Sequence, residues 1–269
     1  MKNFPSYITE TYVIENELGA GSGGVVYKAF HKRLKKYVVI KELKHTHFLN
    51  EEARRNEVEA LKNLKHPHLP QIIDFFGECE NSYTIMELLE GITFKRLIEQ
   101  NEKISPYKAI EWYGQLVSAL VMLHENGICH CDIKPANIML QDSGKVCLID
   151  FNTAMVKGND TGLISRSRGY ASPEQYGLFV CCRNNEQPQT KYVDWKLSDI
   201  HNLGAAMYHL MTGKRMKYDK QGKVLSENFN KHHKSPIFFI IERSTHPNPG
   251  NRFTSIHALN QTIQSIIRV

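Results

Sequence analysis

His130-Cys131-Asp132-Ile133-Lys134-Pro135-Ala136-Asn137, followed thirteen residues on by Asp150-Phe151-Asn152, decides how this chain is read. Asp132 offers a carboxylate base, and Lys134 a cation two positions away. Asn137 and Asp150 add two oxygen donors of the hard kind that magnesium prefers. Such a set suits the transfer of a phosphoryl group from a magnesium nucleotide to a hydroxyl. The competing reading is a loop of charged residues with no common task. It does not explain a base, a cation and two metal donors at these spacings.

Upstream, Gly19-Ala20-Gly21-Ser22-Gly23-Gly24-Val25-Val26 contains G-x-G-x-x-G-x-V. Glycine allows a tight turn and close backbone approach to phosphates. Alone, such a string is as often an ordinary hairpin. A dinucleotide-binding fold needs a helix directly after the glycines. Here Val25-Val26-Tyr27-Lys28 continues as a strand, which favours a loop covering phosphates. Val38-Val39-Ile40-Lys41 ends an apolar strand with a lysine, and a buried ammonium requires a partner. Glu57 and Glu59 are the acids at hand in the next helical stretch. They lie about 200° apart around a helix, so only one can face a cleft.

Residues 12–43 read as strands, through Tyr12-Val13-Ile14, Val25-Val26-Tyr27 and Tyr37-Val38-Val39-Ile40. Residues 50–65 read as a helix, with Ala53, Val58, Leu61 and Leu64 at helical spacing and Pro67 just beyond. Ile72–Phe76 and Tyr83–Met86 read as two further strands, and 87–91 as a connector. From there the pattern is helical. Ser105-Pro106 reads as an N-cap with proline at the first helical position, and Ile110, Tyr113, Leu116, Val117 and Leu120 form an apolar face. A strand-rich first third and a helical remainder predict two lobes with a cleft between them.

Composition narrows the classes. Of 269 residues 41% are apolar, enough for a large core and too many for a disordered chain. The net charge is +6, and its densest cluster, Lys32-Arg33 with Lys35-Lys36, reads as a solvated hairpin. No aromatic interleaving or known module accompanies it, so nucleic-acid binding is not expected. Six cysteines show no disulfide framework. Cys129-His130-Cys131 lacks the paired two-residue gaps of a zinc site, and Cys181-Cys182 reads as a loop pair. Residues 1–10 carry no apolar run, and no stretch approaches the length of a membrane span. A reduced cytoplasmic setting without membrane contact is expected. The sequence leaves the oligomeric state open.

The motifs together resemble the protein kinases, most closely the bacterial serine/threonine kinases of the eukaryotic type. The stretch 130–137 is similar to the catalytic loop H-R-D-x-K-x-x-N, and 150–152 to D-F-G. Gly169-Tyr170-Ala171-Ser172-Pro173-Glu174 resembles the end of an activation segment, Ser198–Gly204 the helix that follows, and His246–Phe253 a late motif whose Arg252 pairs with Glu174. The resemblance covers about residues 12–265. It implies an α+β, bilobal fold forming a single domain over 1–269, with a small antiparallel lobe to about 87, a hinge at 87–91 and a mainly helical lobe over 92–269. It implies ATP with Mg2+, or Mn2+ in its place, and protein substrates. Lys41, held by Glu57, would meet the α- and β-phosphates. Leu18, Gly19, Gly21 and Gly24 would cover the nucleotide, with Val26 and Val39 roofing the adenine and Met139 below it. Met86 would be the gatekeeper, and backbone groups of Glu87 and Leu89 would pair with the adenine edge. Asp132 would orient the acceptor hydroxyl and take its proton, Lys134 would steady the phosphate, and Asn137 and Asp150 would hold the metal.

Four departures qualify these expectations. Val39 stands where alanine is usual and narrows the adenine pocket. Cys131 replaces an arginine that clamps a phosphorylated activation segment; a thiol cannot do so, which predicts activity not strictly dependent on that phosphorylation. Thr161, Ser165 and Ser167 are the hydroxyls of that segment. Asn152 replaces glycine and predicts a stiffer metal loop that still aims Asp150 through tolerance of left-handed backbone. Residues 176–193 read as an inserted loop near the substrate face. Two other readings stay open: a nucleotide-binding scaffold without efficient transfer, and a small-molecule phosphotransferase. The scaffold reading is weakened by the presence of Lys41, Glu57, Asp132, Asn137 and Asp150 together. The small-molecule reading is weakened by Ser-Pro-Glu and the late arginine.

Overall fold

Alternation along the early strands builds the smaller lobe. In the computed structural model, which describes residues 4–21, 24–44, 57–77, 81–156, 167–183, 193–219 and 235–268, five strands form one antiparallel sheet. They are β1 (Tyr12–Gly21), β2 (Gly24–His31), β3 (Lys36–Lys44), β4 (Ile72–Gly77) and β5 (Asn81–Glu87), in the order β1-β2-β3-β5-β4. Successive strand residues face opposite sides. Val38 and Ile40 enter a core with Tyr27, Ala29, Tyr83 and Ile85, whereas Val39 and Lys41 face the other way. Glu42 shares the core face and is fully buried; the phenols of Tyr27 and Tyr83 donate to its two oxygens at 3.3 and 3.4 Å.

A helix not read from the sequence, α1 (Ser6–Thr11), closes this core. It is short, but Ile8 is fully buried, Phe4 meets Tyr27 edge to face with ring centres 5.0 Å apart, and Tyr7 packs on Phe76 at 4.8 Å. The basic cluster at 32–36 forms the β2–β3 turn, as expected of a solvated hairpin. Helix α2 is described over 57–61 and gives way to a turn at 62–63, four residues short of the predicted end; residues 50–56 lie outside the described residues.

Beyond β5 the chain is mainly helical: α3 (Phe94–Glu99), α4 (Pro106–Glu125), α5 (Pro173–Arg183), α6 (Trp195–Thr212), α7 (Pro236–Ser244) and α8 (Ile256–Ile267). Short strands β6 (Gly91–Thr93), β8 (Ile138–Gln141) and β9 (Val146–Leu148) form a three-stranded sheet, and β7 (Ile128–Cys129) pairs with β10 (Met155–Val156). The N-cap of α4 is Ser105, whose hydroxyl accepts from Lys108 N at 3.2 Å. All five residues of its predicted apolar face are buried. Gly204 lets α6 approach α7, since a Cβ there would lie 2.8 Å from Ser244 and Thr245 side-chain carbons. The fold is the expected α+β, two-lobed one.

One expectation is corrected. Residues 176–183 are not loop but the body of α5, so Cys181 lies on a helix. Pro173 starts the helix, Glu174 favours its first turn, and Leu178 is buried against the lobe. Residues 184–192 lie outside the described residues. Among the described residues, no helix is long and apolar enough to cross a membrane.

Candidate active site

The strand register sets the walls of a cleft of about 410 Å³ between the lobes. In β1 and β2, Gly21 pairs with Gly24, and Val26 lies opposite Lys41. Gly24 adopts a φ of 106°, and a Cβ there would collide with the carbonyl oxygen of Glu42. Only glycine lets the hairpin lie this close to β3. Leu18, Gly19, Gly21, Gly24 and Val26 line the cleft from above. Val39 pairs with Met86 across β3 and β5, and both line it, as do Glu87 and Leu89 of the connector. Met139 of β8 closes the opposite side. The cleft is apolar at this end and charged at the other, where Lys41, Glu57, Asn137 and Asp150 meet.

Lys41 is buried and shared by two acids: its Nζ lies 2.9 Å from Glu57 Oε1 and 2.8 Å from Asp150 Oδ1. Burial works against its charge, and the two carboxylates more than offset this, so its pKa rises above the ordinary lysine value. Burial likewise opposes ionisation of Asp150, and Lys41 reverses it, holding the carboxyl below the usual range. Glu57 Oε1 also accepts from Phe151 N at 3.1 Å, fixing the Asp-Phe pair to α2. Glu59 points elsewhere, half-exposed and paired with Lys62 at 2.6 Å. The left-handed residue of the metal loop is Asp150 itself, at φ 66°; Asn152 has no positive φ, so its predicted tolerance is not drawn upon.

The loop 130–137 is pinned from below by α6. Asp199 is fully buried and accepts from the backbone N–H groups of His130 and Cys131 at 2.9 and 2.8 Å. His124 Nε2 completes its shell at 2.9 Å. The Cys129 thiol lies within 4.8 Å of the facing His124 and Asp199 atoms. Cys131 is held by the Asp199 bonds at φ 64°, a strained conformation for a non-glycine residue. Burial, with Asp199 nearby, pushes its thiol pKa well up, so the residue is neutral. His130 Nδ1 accepts from Asp132 N at 3.3 Å, leaving Nε2 as the donor to Ile149 O at 3.1 Å.

At the reaction end, Asp132 Oδ2 lies 2.6 Å from Lys134 Nζ. Asn137 Nδ2 donates to Asp132 O at 3.0 Å, which leaves its amide oxygen as a donor atom for a cation. With the Asp150 carboxylate this gives an all-oxygen pair in one cleft, a set that fits Mg2+ or Mn2+. Asp132 and Lys134 lie beside the cleft rather than in its lining.

Sequence reading missed two participants. Ser167, considered only as a phosphorylation candidate, donates to Asp132 Oδ1 at 2.6 Å and accepts from Lys134 Nζ at 3.1 Å. Gln175 donates from Nε2 to Cys131 O at 2.8 Å, while its Oε1 accepts from Ser172 N and Asn202 Nδ2, both at 2.9 Å. No local motif signals either role, because their partners are distant in sequence. Thr161 and Ser165 lie outside the described residues. Arg252 is buried and grips Glu174 with two parallel bonds of 2.6 and 2.9 Å.

A family model described as Protein kinase domain matches residues 12–268. Curated relatives include a probable serine/threonine-protein kinase of Clostridium acetobutylicum, 30% identical over 96% of this chain and 40% of its own length. The serine/threonine-protein kinase PrkC of Bacillus subtilis is 32% identical over 81% of this chain and 32% of its own. The serine/threonine-protein kinase PknB of Mycobacterium tuberculosis is 29% identical over 78% and 33% respectively. The chain thus spans well under half the length of these relatives.

Proposed function

Because the chain belongs to the protein kinase domain family, we propose that it transfers the γ-phosphoryl group of ATP to serine or threonine hydroxyls of proteins. Residues 1–269 would act as one domain, with the hinge at 87–91. When bound, Mg2+–ATP, or Mn2+–ATP, supplies the electrophilic phosphoryl group and neutralises charge on it. Val26 and Val39 would roof the adenine, Met139 would lie below it, and Met86 would be the gatekeeper. Backbone groups of Glu87 and Leu89 would pair with the adenine edge. Leu18, Gly19, Gly21 and Gly24 would cover the phosphates, Lys41 would face them, and Asn137 and Asp150 would hold the metal. Asp132 would accept the hydroxyl proton as the substrate oxygen bonds to the γ-phosphorus, the bond from that phosphorus to the β,γ-bridging oxygen breaks and ADP leaves, while Lys134 would offset charge on the transferring group.

The observation that carries this reading is the convergence of Lys41, Glu57 and Asp150 within 2.9 Å in the cleft that Asn137 also lines, beside Asp132. A scaffold that only binds nucleotide has no use for the Asp132–Lys134 pair. We further propose that activity does not depend strictly on activation-segment phosphorylation. The neutral, buried Cys131 and the Gln175 network support this, because they tie the segment's end to the catalytic loop through uncharged groups. The protein would act on the cytoplasmic side, where ATP is found. Transfer of labelled phosphate from ATP to the protein itself or to a peptide tests the reading. The Asp132→Asn variant is expected to keep nucleotide affinity and lose transfer by roughly 10²- to 10⁴-fold. Near-normal transfer by that variant would remove Asp132 from the mechanism.

A further inference from the structure

Beside Ser167 a second cavity, of about 660 Å³, opens next to the reaction centre. Ser167 joins the two: its hydroxyl lies 2.6 Å from Asp132 Oδ1, and the same residue lines the cavity. The cavity wall carries three cations, Arg168, Arg215 and Lys217, against one acid, Asp219. Arg168 and Arg215 are exposed, and neither forms an ion pair with any described residue.

Arg215 is nonetheless held in place. Gly169 sits at φ 90°, and a Cβ there would press on the Arg215 side chain at 3.2 Å, so the missing Cβ lets the arginine lie against the segment. Its guanidinium sits 5.7 Å from the centre of the Tyr170 ring. Tyr218 donates to Gly169 O at 3.4 Å and closes the same wall. The guanidinium is therefore anchored by an aromatic face and by packing, with its charge left available.

Resting on the phosphotransfer reading, we propose that this cavity receives an anionic side chain of the substrate, close in sequence to the hydroxyl being phosphorylated. The anion is an aspartate, a glutamate or a residue already phosphorylated. A residue spans about 3.3–3.6 Å of extended chain, so a hydroxyl at Asp132 places its near neighbours over Arg168 and Arg215. The guanidinium fork matches carboxylate and phosphate alike. A lysine or arginine at that substrate position meets like charge.

The test uses peptides with a single threonine in an alanine and glycine background. One neighbouring position at a time carries glutamate, phosphoserine, glutamine or lysine, and kcat/KM is measured for each. At one position near the threonine, glutamate is expected to exceed glutamine by about tenfold, the size of one charge-assisted hydrogen bond in a half-exposed groove. Lysine is expected to fall below glutamine. The ratio of phosphoserine to glutamate distinguishes the two sources of the anion. Arg215→Glu is expected to invert the glutamate-to-lysine ranking. Arg168→Gln, away from the Tyr170 ring, is expected to flatten it, and serves if the first variant misfolds. Equal rates for glutamate, glutamine and lysine at every position overturn the proposal while leaving phosphotransfer intact. So does a preference that survives both substitutions. No transfer to any peptide or to the protein itself overturns the phosphotransfer reading, and this one with it.

Discussion

Val39 and His201 show how single side chains set the properties of this molecule. Val39 faces the cleft beside Met86, because strand alternation puts Val38 and Ile40 into the core instead. Its two methyl groups take space from whatever flat ring enters. Val39→Ala is expected to improve binding of bulky cleft ligands by about 1 kcal/mol for each methylene-sized clash relieved. A matched series of small and bulky inhibitors checks this, and an unchanged ranking would show that Val39 does not roof the pocket. His201 is fully buried in α6, with the Tyr218 ring 6.2 Å away. Burial pushes its pKa down to about 3; Arg252 adds to the effect, while Glu174 and the Tyr170 backbone oppose it. The unfolded imidazole takes up a proton near its ordinary value of 6.5, and the folded one does not until about 3. The unfolded chain therefore holds the extra proton throughout that window, and stability falls as pH drops through it. Relative to His201→Asn, the native protein is expected to lose about 1.4 kcal/mol per pH unit below 6. Denaturant unfolding at a series of pH values measures the difference, and parallel curves would refute it.

At the scale of elements, periodicity carried most of the reading. The five early strands and α4 were legible, because alternation and an apolar face of one pitch are local properties of sequence. The capping Ser105-Pro106 was legible for the same reason. α1 was not, since six residues carry too few turns to show a period, and its helix rests on Ile8, Phe4 and Tyr7 meeting the sheet. The body of α5 was also missed. Its paired cysteines suggested a loop, whereas the helix is set by Pro173 and Glu174 at its start and by the buried Leu178 and Gln175. Gln175 ties α5 to the 130–137 loop. Gln175→Leu would leave Cys131 O, Ser172 N and Asn202 Nδ2 without that partner. Unsatisfied buried groups cost about 1–3 kcal/mol each. The variant is expected to lose at least one such increment of stability and to lower kcat more than it raises KM for ATP. Unchanged unfolding and kinetics would mean the network contributes nothing.

Across the whole molecule, the site residues named from short motifs line one cleft, except Asp132 and Lys134, which lie beside it, although Lys41 and Asp150 are 109 residues apart. The motifs made them legible one by one. The positions of Ser167 and Gln175 were not legible, because each is defined by partners that only folding brings near. The same tertiary bonds bear on regulation. The Glu174–Arg252 pair and the Gln175 network order the segment's end through groups that need no modification. Phosphatase-treated protein is therefore expected to keep most of its activity towards an added peptide. A large loss, restored by incubation with ATP, would show that another cation reads the phosphate. Asp199 has a consequence of a different kind. It anchors the backbone of a loop made 68 and 69 residues earlier. Chains lengthen at about 5–20 residues per second during synthesis, so the loop waits several seconds on the ribosome for its anchor. Until α6 emerges, the backbone N–H groups of His130 and Cys131 lack their Asp199 anchor, and the loop that carries Asp132 is held only by its more local bonds and by Gln175. A growing chain thus completes its nucleotide-facing strands well before the 130–137 loop receives its last buried anchor, which comes only once most of the second lobe has been translated.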